Sequence, residues 1–251
     1  TAMGGEAVVN GGDVSDFGQA KALIDQAVDT FGGLDILINN AGILRDRMVF
    51  SMSEDDWDAV IKVHLKGTFA PTHHAAVYWR ERAKAGEEND ARVINTASPS
   101  GIYGNVGQTN YGAAKAGIAS FTIIAAQELV RYGVTVNCIA PAAISRLTAA
   151  LMGGEENVPD EAKEAMSPRW IALIATWLAS PEGRNVTGRV FDVRGDQLGI
   201  AEGWHKGPVA TQPDDPAQLG PVVADLMGQA RLNANMDGVD HEGPGYPSTS
   251  I

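Results

Sequence analysis

Asn95-Thr-Ala-Ser-Pro-Ser-Gly-Ile-Tyr-Gly-Asn-Val-Gly-Gln-Thr-Asn-Tyr-Gly-Ala-Ala-Lys115 is the stretch on which the reading of this chain turns. Ser98 stands 13 positions before Tyr111, and Lys115 stands 4 positions after it. A phenol titrates near ~10 and exchanges protons poorly at neutral pH unless its anion is stabilised. Positions four apart share a helix face, and an ammonium held roughly 4 Å from a phenolate at an effective dielectric near ~20 stabilises it by about 4 kcal/mol. Lys115 is spaced to do this for Tyr111, which would bring the phenol's titration down by up to ~3 pH units. Tyr and Lys four apart also occur on many helices with no chemistry, so the surrounding pattern has to decide.

That pattern is a strand, a loop and a helix. Ala91 to Thr96 reads as a short apolar strand, Ala97 to Gly107 is rich in Gly, Ser, Asn and Pro, and a helix is expected from Thr109 to about Arg131. Such a unit delivers Ser98 from a strand end beside Tyr111, and in open α/β sheets ligands sit at the carboxyl ends of the strands. Ser98 would then donate a hydrogen bond to a carbonyl oxygen while Tyr111 gives or takes the proton, as in general acid–base catalysis.

Outward from this unit the chain alternates strands and helices. Glu6 to Val9 reads as a strand and Asp16 to Phe31 as an amphipathic helix entered through the turn Asp13-Val-Ser-Asp16. Leu34 to Ile38 is a near-continuous apolar run, as a buried parallel strand requires. Ser53-Glu-Asp-Asp56 has the residues of a helix start, and the helix is expected to run to Arg82. Val134 to Ala140 and Arg189 to Val193 read as further strands, with a helix over Trp170 to Ala179. The irregular stretch from Pro141 to about Pro168 sits where a substrate lid is expected. Helices between successive apolar strands imply a Rossmann-like, doubly wound parallel sheet covered on both faces. One catalytic domain over residues 1–198 is expected, followed by an extension over 199–251 with a short helix from about Ala217 and an extended or disordered end from Gly238 to Ile251.

These residues resemble the short-chain dehydrogenase/reductase family. Asn39-Asn-Ala-Gly42 matches its post-strand motif and Tyr111-x-x-x-Lys115 its active-site pair. Within the family the chain is most similar to the (3R)-hydroxyacyl-CoA dehydrogenase units of peroxisomal multifunctional enzymes of type 2. The similar stretches are Asn39 to Arg47, Val63-His-Leu-Lys-Gly67, Ser100 to Asn105, Ala140 to Arg146 and Gly188 to Val193. The resemblance implies NAD or NADP as cofactor, with Asp13 and Val14 meeting the adenine and Asn40, Ala41 and Gly42 facing the cofactor. Pro141 and Ile144 would lie over the nicotinamide, although the usual Pro-Gly is Pro-Ala here. Lys115 would also hold the nicotinamide ribose beside Tyr111. His64 stands where most of the family has a catalytic Asn, and a neutral imidazole there would relay protons or simply pack. A homodimer or homotetramer is implied, and the helices over Ala59 to Arg82 and Tyr111 to Arg131, apolar on more than one face, suit a two-fold interface.

One departure is large. The family opens with a Gly-rich phosphate loop, Thr-Gly-x-x-x-Gly-x-Gly, and this sequence begins instead at Thr1-Ala-Met-Gly-Gly-Glu-Ala, the approach to a third strand. Two expectations stand: the sequence is part of a longer enzyme, or it is a truncated form that does not bind dinucleotide. Glycines of that loop let the backbone reach the pyrophosphate, and downstream residues cannot replace them. The residue that would distinguish NAD from NADP falls in the same missing part.

Composition narrows the classes. The 251 residues are 44% hydrophobic, enough for one sizeable core, and carry 19 Lys and Arg against 31 Asp and Glu for a net charge of −12. That balance argues against nucleic acid or an anionic membrane surface as a partner. No segment is expected to approach the ~20 apolar residues of a membrane span, and a cytoplasmic location follows as the default. Arg45 and Arg47 offer local positive charge for an anionic acyl-CoA, or are solvated loop charges. Cys138, the single cysteine, is expected as a buried strand residue, and His73-His74 as structural. No metal site is expected. The expected activity is interconversion of a secondary alcohol and a ketone on a small molecule, a 3-hydroxyacyl or 3-oxoacyl thioester. A steroid or another hydrophobic alcohol, and an inactive partner subunit, are the alternatives.

Overall fold

The computed structural model describes residues 4–145, 148, 154 and 157–240. The chain divides into two compact units, Thr1–Ala201 and Glu202–Ile251. The first holds a five-stranded sheet in the order β1 (Ile36–Asn39), β2 (Ala91–Thr96), β3 (Val134–Ala142), β4 (Val190–Arg194) and β5 (Gln197–Ala201). β1 to β4 are parallel, in the register Ile36 with Arg92, Ala91 with Val134 and Cys138 with Val190.

α1 (Phe17–Phe31) starts on Asp16, whose carboxylate accepts from the Gln19 N–H, and stops at Gly32, where φ of 80° supplies the left-handed cap. α2 (Glu54–Ile61) begins in the same way on Ser53, which accepts from the Asp56 N–H. The helix expected to run on to Arg82 is interrupted. Lys62–Lys66 forms a π-helical turn, in which the Gly67 N–H reaches back to Lys62 O, before α3 (Gly67–Lys84) resumes. α4 (Pro99–Ile102) is a single turn, and α5 (Thr109–Leu129) follows. Ala114, Ile118, Thr122, Ala126 and Leu129 recur at helical spacing along the buried face of α5. Beyond β3 lie α6 (Asp160–Ala165) and α7 (Arg169–Ala179).

Because successive strand residues point to opposite faces, Val93 and Ile94 enter different cores. On one face Ile24, Trp79, Ala125, Leu129 and Val136 from α1, α3, α5 and β3 pack with Val93, and Trp79 Nε1 donates to Leu34 O at 2.6 Å. On the other, Ile174 and Leu178 of α7 pack with Ile94, Ile139, Phe191 and Val193. The sheet is covered on both sides, as the unbroken apolar runs require.

Three expectations change. Glu6 to Val9 forms no strand: residues 5–13 have no regular secondary structure and Val9 is exposed. A strand exists only through its ladder, and no described strand pairs with this segment. β5 was not expected. Arg194 pairs with Gln197 across the two-residue turn Gly195-Asp196, with φ of +54° at Gly195, so the chain doubles back and adds an antiparallel strand. This strand crosses the expected boundary at 198. Thirdly, Thr109–Tyr132 is, by length and mean hydropathy of 1.2, apolar enough to cross a membrane, and here it packs as a core helix against the sheet.

In the second unit a helix, α8 (Leu219–Gln229), follows a short 3-10 turn over Pro216–Gln218, close to the expected start at Ala217. The Gly/Pro/Ser-rich end beyond 240, Arg146, and most of the expected lid between 146 and 156 lie outside the described residues.

Candidate active site

The carboxyl ends of β1, β2 and β3 lie at one edge of the sheet, and the chain leaves each of them through residues singled out above. Asn40-Ala41-Gly42 follow β1 and are exposed, Ser98 follows β2 and is buried, and Pro141 and Ile144 end β3 and the turn after it. Ser98 is the N-cap of α4, its Oγ accepting from the Ser100 N–H at 3.2 Å. The same hydroxyl lies close enough to the Tyr111 phenol to favour its anion.

Lys115, 4% exposed, donates from Nζ to Thr96 O at 2.6 Å and lies 5.5 Å from the centre of the Tyr111 ring. Burial lowers its ammonium to about 8. The expected depression of the Tyr111 phenol is not found. Burial raises it above its ordinary value, the Ser98 hydroxyl opposes this, and the Asp46 charge reinforces it. Lys115 is turned towards the Thr96 carbonyl, and desolvation of the phenolate is the largest influence on the phenol.

His64 is the single buried residue of the π-helical turn. Its ring meets Tyr111 edge-on at 5.1 Å. Nε2 lies 2.7 Å from Ile43 O and 3.1 Å from Ile43 N. The Ile43 carbonyl calls for a donor at Nε2 and the Ile43 N–H for an acceptor there, so the two contacts suit opposite tautomers of the neutral ring. Nδ1 is buried and has no partner among the described residues. Desolvation, then repulsion from Lys115, lowers the imidazole to about 4 against the pull of Ile43 O, so the ring is neutral at pH 7. The ring also explains Gly42, because a Cβ there would sit 2.4 Å from His64 Cε1. π-helical turns inside α-helices are frequent at functional sites, and this one carries the residue that meets Tyr111.

Two pairs stand apart from this cluster. The Asp13 carboxylate accepts from the N–H and hydroxyl of Ser15, at 2.8 and 2.6 Å, and lies 3.5 Å from Lys62 Nζ. Its pKa is lowered by these contacts, Ser15 first. Val14 packs where a Cβ on Gly67 would be 3.0 Å away, so the turn rests on the π segment that carries His64. Pro141 pairs in register with Val193, and the Ile144 N–H donates to Met166 O at 2.8 Å. Asn40 is nearer, its Oδ1 accepting from Thr96 Oγ1 at 3.4 Å, so Thr96 links it to Lys115.

Sequence reasoning passed over a buried polar chain beneath the site. Asn39 Nδ2 donates to Thr72 Oγ1 and to Asn95 Oδ1, and Asn95 Nδ2 donates to Thr122 Oγ1, each at 2.9 Å. Thr72 and Thr122 pass the chain on to carbonyls of their own helices. This ties α3, β1, β2 and α5 together below Ser98 and Tyr111. Its signal was present: an Asn at the end of each of two apolar strands must find partners when buried. Cys138 is buried, as expected, and burial pushes its thiol up to about 11.

A fold whose sheet edge gathers a serine, a tyrosine and a lysine in this way defines a class. The short chain dehydrogenase family pattern matches residues 1–157, and the chain belongs to that family. It is 46% identical over 204 residues to the hydroxyacyl-CoA dehydrogenase ChsB1 of Mycobacterium tuberculosis, covering 80% of this chain and 64% of that protein. It is 39% identical over 196 residues to the mouse peroxisomal multifunctional enzyme type 2, covering 78% of this chain and 24% of that one. The chain thus spans less than two thirds of the length of these curated relatives. The crystal structure of a short chain dehydrogenase from Mycobacterium avium superposes with a TM-score of 0.85 at 51% identity, covering 96% of this chain and 80% of that one. The family generally uses NAD(P).

The described residues fit one end of that cofactor. Asn40 and Ala41 are exposed, Asn40 is linked through Thr96 to the buried Lys115, and His64 Nδ1 has no partner among the described residues, so polar groups of the kind a nicotinamide ribose needs are present. No described residue forms a glycine-rich phosphate cradle. α1, the first described helix, is capped by Asp16 and preceded by Asp13, and carboxylates at a helix start are unfavourable for a pyrophosphate.

Proposed function

We propose that this chain interconverts a secondary alcohol and a ketone on a 3-hydroxyacyl or 3-oxoacyl thioester with NAD or NADP, and that Ser98, Tyr111, Lys115 and His64 carry the proton chemistry. The observation that carries this is the gathering at Tyr111 of the Lys115 ammonium, 5.5 Å from the ring centre, and the His64 ring, 5.1 Å away, with Ser98 acting on the phenol. Asn40, Ala41, Gly42, Pro141, Ile144 and Lys115 would hold the nicotinamide end, with Asp13 and Val14 nearer the adenine. When bound, the dinucleotide supplies the hydride acceptor or donor.

Ser98 donates to the substrate oxygen and holds it beside Tyr111. In reduction Tyr111 gives its proton to the oxygen as charge develops there, and in oxidation the phenolate takes the proton from the alcohol. With its pKa raised by burial, Tyr111 is protonated at neutral pH and ready for reduction. Oxidation should quicken as pH rises. Lys115, held on Thr96 O, keeps a positive charge near the phenolate when it forms. His64, neutral and, among the described residues, unpartnered at Nδ1, accepts or passes the proton behind Tyr111.

The thioester is favoured over a free alcohol by the relatives named as hydroxyacyl-CoA dehydrogenases and by Arg45 and Arg47. Both arginines are exposed on the loop that carries Asp46, and among the described residues their guanidinium groups bond the neighbouring Leu44 and Asp46 carbonyls. The exposed Phe69 and Val77 of α3 and Ile123 and Ile124 of α5 support a homodimer or homotetramer. A substrate panel tests the substrate class. Turnover of 3-hydroxyacyl-CoA well above that of steroid or simple alcohols supports it, and preference for a free alcohol would move the assignment to the alternative.

A further inference from the structure

Ser98 is placed by a helix too short to place itself. α4 is one turn, with Ser98 as its N-cap and Tyr103 as its C-cap. A single turn orders several residues for very few hydrogen bonds, so it keeps its place only where other elements grip it. The Ser98 carbonyl accepts from the Gly101 and Ile102 N–H groups at 2.9 and 3.3 Å, and the Pro99 carbonyl from the Tyr103 N–H at 2.8 Å. Movement at the Tyr103 end therefore reaches Ser98 within one turn.

On its inner side α4 lies directly on the helix that carries Tyr111 and Lys115. A Cβ on Gly101 would sit 2.6 Å from Lys115 Cβ and from Ala116 N, and a Cβ on Gly112 would sit 3.1 Å from Ser100 O. The two glycines bring the backbones of α4 and α5 together beside Tyr111 and Lys115. Ile102 adds an apolar contact with the cluster that holds Ala97, Ile118 and Val190. Such contacts set how near α4 comes to α5, and being non-directional they do not fix its tilt.

The directed contact is at the far end of the turn. Tyr103 Oη donates to Asp192 Oδ2 at 2.9 Å, joining residues 89 positions apart. Asp192 is the central residue of β4, its Cα paired with Ala140 of β3 and Gly199 of β5. A carboxylate on a strand held from both sides is a fixed anchor. Its second oxygen, Oδ1, is buried without a partner among the described residues, a cost that the bond to Tyr103 helps to offset.

We propose that Tyr103 and Asp192 are a positioning pair for the reaction: their hydrogen bond sets the tilt of α4 and so the place of the Ser98 hydroxyl above the catalytic helix. This rests on the part given to Ser98 in the oxidoreductase reading of the same site.

Tyr103→Phe removes the donor and Asp192→Ala the acceptor. Each is expected to lower kcat about tenfold with KM little changed, and the double variant no further than either, because both break the same bond. Asp192→Asn keeps an acceptor oxygen for the phenol and is expected to hold kcat near the parent value. The decisive arm is the Ser98→Ala background, in which Tyr103→Phe is expected to cost nothing more, since the pair acts through the Ser98 hydroxyl. An equal fold loss in both backgrounds, as a merely structural tyrosine would give, or no loss in the parent, overturns the proposal. Amide hydrogen exchange reads the same turn without turnover: exchange over residues 99–103 is expected to quicken in Tyr103→Phe while that of α5 stays as it was. Unchanged exchange over 99–103 in that folded variant also overturns the proposal. If no protein turns over, the oxidoreductase reading fails and the exchange still judges the pair. If Asp192→Ala loses its far-UV circular dichroism, Tyr103→Phe carries both arms alone.

Discussion

β2 and β1 are neighbours in one sheet with opposite surroundings. β2 pairs on both sides and all six of its residues are buried, whereas β1 pairs only with β2 among the described strands and leaves Ile36 and Ile38 at 42% and 50% exposure. The groups that would move a proton leave the buried strand: Thr96 anchors Lys115, and Ser98 acts on Tyr111. The groups assigned to the cofactor, Asn40 and Ala41, leave the open one. Proton chemistry needs fixed distances and low dielectric, which a strand closed on both sides provides. A cofactor needs an accessible surface. The chain Asn39–Asn95–Thr122 joins the two regions below the site, so the exposed strand still ends at a defined height.

The largest effect expected from breaking this arrangement is on activity. Tyr111→Phe should lower kcat by about 10²–10⁴ with little change in thermal stability, since only the acid–base hydroxyl is lost. Steady-state kinetics beside a melting curve checks both halves. A smaller loss would assign the proton to another group.

The same substitution in the two strands measures the contrast itself. Ile94→Ala, in β2, opens a cavity between the sheet and α7 and should cost about 2–5 kcal/mol in urea unfolding. Ile38→Ala, half-exposed in β1, should cost less than about 1 kcal/mol. Equal costs would mean that the outer edge of β1 is covered in solution.

His64 sharpens the picture through pH. Its imidazole is held at about 4 against an ordinary 6.5, so the folded protein binds fewer protons than the unfolded chain between those values. This contribution to stability is complete above pH 6.5 and is lost as pH falls towards 4, a loss of about 3 kcal/mol by the size of the shift. Urea midpoints across that range should fall more steeply for the parent than for His64→Asn, and parallel curves would show that the imidazole is not buried neutral. The smallest effect is expected at Asp13. Asp13→Asn loosens an exposed turn and should change the melting temperature little, while weakening dinucleotide binding if the turn meets the adenine.

Much of this was legible in the sequence, for reasons that differ by region. Ala91 to Thr96 and the helix from Thr109 were readable because periodicity and burial agree there, and the Ser98, Tyr111 and Lys115 spacing is preserved in space. Glu6 to Val9 has the composition of a strand but no ladder to join, and no local pattern reports a missing partner. β5 was signalled by Gly195-Asp196, a two-residue hairpin turn that was overlooked beside the weak apolarity of Gln197 to Ala201. The π-helical turn at His64 and the direction in which Tyr111 titrates depend on packing and desolvation, which spacing alone does not carry.

The central claim is that this sheet edge interconverts an alcohol and a ketone with a nicotinamide dinucleotide. It is tested most directly by mixing the protein with a 3-hydroxyacyl-CoA and either NAD or NADP while following the nicotinamide absorbance. A rise that needs enzyme, thioester and one of the two dinucleotides, and that quickens towards alkaline pH, is the predicted result. No absorbance change with either dinucleotide, in this direction or with 3-oxoacyl-CoA in reverse, would contradict it.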